Sequence, residues 1–118
     1  MRMRLESQIR DGVGILRLQG RFVTGSDAEF VSAQNYLQKN GIIKAVVDLS
    51  AVPYIDSTGL AFVVDLHKSL ESRGGQLVLA DANERVCEVL KMTRIGEIIP
   101  LYPDTEDAEA KLRGEVLC

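Results

Sequence analysis

The chain has 118 residues, 46% hydrophobic and 26% charged, the proportions of an ordinary globular chain of about one domain, neither disordered nor fibrous. Its 17 acidic and 14 basic residues leave a net charge of -3, and the basic ones are scattered, which excludes the positive stripe that nucleic-acid binding needs. The opening "MRMRLESQIRDG" has no apolar signal core, no run approaches the ~18 apolar residues of a membrane span, and Cys87 and Cys118 are too few for a disulfide framework or zinc site. The expectation is a cytoplasmic protein with no membrane span, no metal and no cofactor.

From Arg4 to Ile9 polar and apolar residues alternate, Asp11-Gly12 follows, and "VGILRLQG" resumes the β character, the pattern of a hairpin with a primed turn. "SDAEF" offers a capping box, Ser26 reaching forward and Glu29 back, ahead of a helix over about 27–39 that stops at Asn40-Gly41. "KAVVDLS" is apolar apart from Asp48, as a strand covered on both faces should be. A helix from Thr58 to about Ser72, closed by Arg73-Gly74-Gly75, leads to the strand "QLVLA". Asp81 or Asn83 can cap a third helix carrying Val86, Cys87, Val89 and Leu90, "EIIPLY" reads as a last strand, and "DTEDAEAKLR" as a helix with acids first and bases last. Together these predict one α/β domain over 1–118: a mixed sheet of about five strands opening with a hairpin, and about four helices.

The stretch "VPYIDSTGLAFVV", residues 52–64, sets an Asp, a Ser, a Thr and a Gly between apolar runs. It lies where a strand hands over to a helix, so Asp56 or Ser57 serves as a cap for unpaired N–H groups. One cap suffices, yet three adjacent residues carry oxygen, and Gly59 costs the first turn about 1 kcal/mol of helix propensity. A small residue there lets something approach the backbone. Phe62, Val63, Leu66 and Leu70 form the core stripe; Leu60 and Val64 either widen it or make an apolar docking patch beside the hydroxyls.

Ser57 is not placed to be a nucleophile. The single histidine, His67, read as a surface or boundary residue, is ten residues along the same helix, about 15 Å away. Neither "DGVG" nor "RGG" is a phosphate-binding fingerprint, and "LQGRF" lacks the acidic cluster of a phosphoaspartate receiver. Asp48, within a strand, is expected to be structural or partner-facing. The remaining role for Ser57 is as a substrate: phosphorylation there adds about -1.5 to -2 charge beside Asp56 without requiring a change of fold.

The run "KAVVDLSAVPYIDSTGLAFVVDLHKSLESRGGQLVLA" resembles the core of STAS domains, most closely the stand-alone anti-anti-sigma factors (anti-sigma factor antagonists) of bacteria, and "VLKMTRIGEIIPLY" is similar to the family's later segment. The resemblance implies a STAS-like fold and a non-enzymatic switch. In it the unphosphorylated protein binds an anti-sigma factor that is also a serine kinase, a sigma factor is released, phosphorylation at Ser57 ends the contact, and a phosphoserine phosphatase restores it. Asp56, Ser57, Thr58, Gly59, Leu60 and Val64, with Arg21, Val23 and Thr24 of the preceding loop, are the implied partner-facing residues. One departure stands out. Where the family often has G-E-[LI]-D, this chain has Arg21 for the Glu and Val23 for the Asp, which leaves room for a STAS module of a larger signalling assembly or a lipid transport system without a Ser57 phosphorylation cycle.

Overall fold

The computed structural model describes residues 4–20 and 27–114. Strands β1 (Arg4–Arg10) and β2 (Val13–Gln19) pair antiparallel with Arg10 opposite Val13. Asp11 and Gly12 supply φ values of 51° and 80° at the two turn positions, the left-handed pair a primed turn requires. The helix α1 (Asp27–Lys39) turns Phe30, Ala33 and Leu37 into the core. Ser26, the proposed cap of that helix, lies outside the described residues.

The next strand, β3 (Lys44–Ala51), runs parallel to β2 and, on its other side, to β4 (Gln76–Ala80), which in turn pairs parallel with β5 (Leu101–Tyr102). The sheet order is β1-β2-β3-β4-β5, so the apolar strand is the central one. Helix α2 (Ser57–Ser72) connects β3 to β4 and ends in a turn that Gly75 makes possible, because a Cβ there would collide with the carbonyl of Ile43. Helix α3 (Glu84–Met92) is capped by Asn83, whose Oδ1 accepts from Val86 N at 2.8 Å; Asp81, the other candidate, instead takes φ 60°. Cys87 is half-buried, its Sγ 3.5 Å from the carbonyl of Ala82.

The expected last strand is shorter than the sequence suggested, and there are five helices among the described residues where about four were expected. The additional one is the single turn α4 (Ile95–Ile98). Ile98 and Ile99 favour a strand, but Arg94 in the left-handed region restarts the chain after α3, and Ile99 N donates to Ile95 O at 2.8 Å. Ile95 and Ile99, both buried, are thereby brought onto the core. Burial of this pair outweighs the strand propensity. A last helix, α5 (Thr105–Leu112), has Glu106 and Asp107 in its first turn and Lys111 in its last.

Both faces of the sheet are covered. On one, Ala45, Val47 and Leu49 of β3 join Leu16, Leu18, Leu77 and Leu79 against α1, α2 and α3. On the other, Val13, Val46, Val78 and Ala80 meet Ala108 and Leu112 of α5. That helix is also tied by charge: Glu109, 3% exposed, has Oε1 3.5 Å from Arg10 and 3.6 Å from Arg113. Asp48 is buried and structural, its Oδ1 accepting from Ser50 N at 2.9 Å and its Oδ2 3.6 Å from Arg17 Nε.

Candidate partner-binding site

The segment between β3 and α2 is pinned before it reaches the polar residues. Val52 and Ile55 are buried, Val52 N donates to Leu49 O at 3.0 Å, and Asn83 Nδ2 donates to the carbonyl of Val52 at 3.2 Å. The two residues between them, Pro53 and Tyr54, are left exposed. Asp56 then caps α2: its backbone is extended and its Oδ1 accepts from both Thr58 N (3.0 Å) and Gly59 N (3.1 Å). The carboxylate is committed to the helix.

Ser57 occupies the first helical position and is exposed. Among the described residues its hydroxyl makes no hydrogen bond, and the first turn of α2 carries no acidic side chain. The cap is therefore Asp56, and the serine is spare. Thr58 is half-buried and lines a groove between α1 and α2 with Val31, Gln34, Ala61 and Asp65. The groove is floored by Phe30 and Phe62, whose rings stack with centroids 3.4 Å apart and planes 13° from parallel. Val31 is 56% exposed on its rim. Sequence reading passed over Val31, although it falls outside the Phe30, Ala33, Leu37 stripe and so had no core role to fill.

The other expected contact residues divide. Leu60 and Val64 are half-buried and pack against the core, so they widen the core face while leaving part of their surface open beside the site. Gly59 is buried, and its N–H donates to Asp56 Oδ1. Arg21, Val23 and Thr24 lie outside the described residues.

His67 corrects an expectation. It is buried, 9% exposed, where a surface or boundary position was predicted. Its place follows from spacing, since Val63, Leu66, His67 and Leu70 share one face of α2. Its Nε2 lies 3.3 Å from Glu71 Oε2, and its Nδ1 is buried without a hydrogen-bond partner. Enclosed, and about 15 Å along the helix from Ser57, it is no base for that hydroxyl. The arrangement presents an exposed hydroxyl at the capped start of a 16-residue helix. Among the described residues no cluster of His, Cys, Asp and Glu is arranged to hold a metal ion, and no helix is long and apolar enough to cross a membrane.

The STAS domain family model matches residues 4–108, and this chain belongs to the STAS domain family. An anti-sigma F factor antagonist of Paenibacillus polymyxa is 26% identical over 95% of this chain and 97% of its own length. The structure of the anti-sigma factor antagonist SpoIIAA in its unphosphorylated form superposes with a TM-score of 0.82 at 18% identity, covering 98% of this chain and all of that one. The phosphorylated form of the Bacillus SpoIIAA gives a TM-score of 0.71 at 17% identity, over 95% of this chain and all of that one. These two likenesses establish the fold.

Proposed function

We propose that this chain is an anti-sigma factor antagonist. In its unphosphorylated form it binds an anti-sigma factor that is also a serine kinase, and a sigma factor is thereby freed in the cytoplasm. Phosphorylation of Ser57 ends the binding, and a phosphatase resets it. The observation that carries this reading is the exposed, unbonded hydroxyl of Ser57 at the start of α2, beside a carboxylate already committed to capping. A phosphate there meets the positive end of a 16-residue helix whose first turn holds no acid, so the scaffold tolerates it. A partner resting on Leu60, Val64 and the groove at Thr58 must instead desolvate a dianion next to Asp56, costing about 3 kcal/mol, a hundredfold or more in affinity. SpoIIAA, which shares the fold, is known in both unphosphorylated and phosphorylated forms, which supports a cycle of the same kind here.

The test is to incubate the protein with ATP and the anti-sigma kinase encoded beside it and to map the product by mass spectrometry. Phosphate on Ser57 and loss of binding by Ser57→Asp are expected. An unmodified Ser57, together with a Ser57→Asp variant that binds as well as the parent, overturns the reading. Arg21 and Val23, standing where relatives often carry acids, favour a second reading: a STAS interaction module of a larger signalling assembly or a lipid transport system, with Ser57 and Thr58 contributing contacts only. Recovery of transporter subunits and no kinase in a pull-down selects it.

A further inference from the structure

The two edges of the sheet are built differently. At one, β5 is two residues long; at the other, β1 runs for seven residues in unbroken register with β2. Among the described residues no strand lies on the outer side of β1, so a row of its main-chain N–H and C=O groups has no partner in the described sheet. Natural edges are usually protected by shortness, bulges or inward-pointing charge. The described β1 has none of these; charged side chains, another protection, lie only on the face away from α1, where Arg4, Glu6 and Arg10 are exposed with Gln8, while Leu5, Ser7 and Ile9 are half-buried on the uncharged face toward it.

Beside this edge an open groove separates β1 from α1, lined by Leu5, Ser7, Glu29, Ser32, Ala33 and Tyr36. One atom in it lacks a partner: Glu29 Oε2 is buried and accepts no hydrogen bond. A buried carboxylate oxygen without a donor is costly. It accepts only, so its complement is a donor, and a cationic one is favoured by charge.

We propose that the free edge of β1 and the groove beside it form a second docking site, separate from Ser57, which takes an extended segment of a partner protein as an additional strand, with a lysine or arginine of that segment reaching Glu29. The main chain of the segment pairs with β1, and alternate side chains enter the groove, as in other cases of strand addition. Leu5 and Ser7 share the groove with Ala28 and Glu29 from the start of α1, and Gly14, which is paired with Ile9, abuts Leu37 near its end. Glu29 therefore lies toward Leu5 and Tyr36 toward Ile9. The segment that fits has its cation near Leu5 and an apolar side chain two residues away, against Ala33 and Tyr36. A second copy of this chain fits less well: antiparallel pairing of two β1 strands about Ser7 opposes Arg4 to Arg10 and offers only Leu5, Ser7 and Ile9 to the groove, with no cation for Glu29.

The test uses the full chain labelled with nitrogen-15 and a blocked peptide, acetyl-Thr-Lys-Thr-Leu-Thr-Leu-Thr-amide, titrated to millimolar concentration. Amide shifts and slowed exchange in residues 4–10, with shifts in 28–36 and none at 56–60, are expected. Replacing the peptide lysine by glutamate, or Glu29 by Gln in the protein, weakens binding about tenfold. Ser32→Arg, an exposed substitution that offers Glu29 a cation at i,i+3 spacing, abolishes the response while the rest of the amide spectrum stays folded. The proposal is overturned by a β1 that does not respond, by equal affinity for the lysine and glutamate peptides, or by β1 shifts that grow with protein concentration alone, which assign the edge to a second copy. None of these readouts involves phosphorylation or an anti-sigma factor, so failure here leaves the Ser57 reading standing, and the reverse.

Discussion

Helices α2 and α3 start with the same device and put it to different use. Each is preceded by a short polar residue whose oxygen takes backbone N–H groups of the first turn: Asp56 for Thr58 and Gly59, Asn83 for Val86. In α3 the start is then closed off. Glu84 follows the cap, and the Asn83 amide is spent on the carbonyls of Val52 and Pro53. Helix α5 is closed in its own way, with Glu106 and Asp107 after its cap. In α2 the residue after the cap is an exposed serine, and no acid follows in that turn. The starts of α2 and α3 each carry one carboxylate, Asp56 as the cap of α2 and Glu84 after the neutral cap of α3. What sets α2 apart is that its carboxylate is spent on two N–H groups and the next residue is an exposed hydroxyl, the arrangement on which the proposed switch depends.

This contrast can be broken by moving charge and caps between the two helices. The largest effect is expected from Ser57→Glu: binding to the anti-sigma partner, measured by titration calorimetry, falls about a hundredfold or more, while the melting temperature shifts by no more than a few degrees. A variant that binds normally, or one that unfolds, removes the distinction between switch and scaffold. Next in size is Asn83→Ala, which loses a cap and the donor to two loop carbonyls and is expected to cost about 2 kcal/mol in urea unfolding. Asp56→Ala removes a cap without tearing the loop from α3 and is expected to cost about 1 kcal/mol. An equal or larger loss for Asp56 shows that the α2 start is the more deeply built of the two. The smallest effect belongs to Ser57→Ala, whose hydroxyl bonds to nothing described: stability stays within about 0.5 kcal/mol while phosphate incorporation by the kinase disappears.

Much of this was legible in the residue pattern because the signals were local. Asp11-Gly12 can supply two left-handed residues in succession, and a tight turn of that kind between two β-rich runs admits one register. Asp56 ahead of Ser57 and a helical apolar stripe fixed the start of α2 to within a residue. What failed to show was whatever needed a third element. Ile98 and Ile99 look like strand until Ile95 and Ile99 are seen to meet the core together, and the brief α4 was absorbed into β5. His67 reads as a surface or boundary residue when taken alone, although its interval from Val63, Leu66 and Leu70 puts it on the inward face. The groove between α1 and α2 needs two helices to exist, and the docking edge of β1 needs the strand order, which no local pattern encodes. Arg21, Val23 and Thr24 lie outside the described residues.

The buried carboxylate of Glu109, held between Arg10 and Arg113, joins the first hairpin to the last helix. Until α5 docks, Val46 and Val78 in the middle of the sheet have an uncovered side. During synthesis the first four strands therefore leave the ribosome with one oily surface facing water, and the nascent domain closes only when its final helix has cleared the exit tunnel. A chain stalled before residue 105 is expected to be sticky and readily degraded, however well formed its serine-bearing helix.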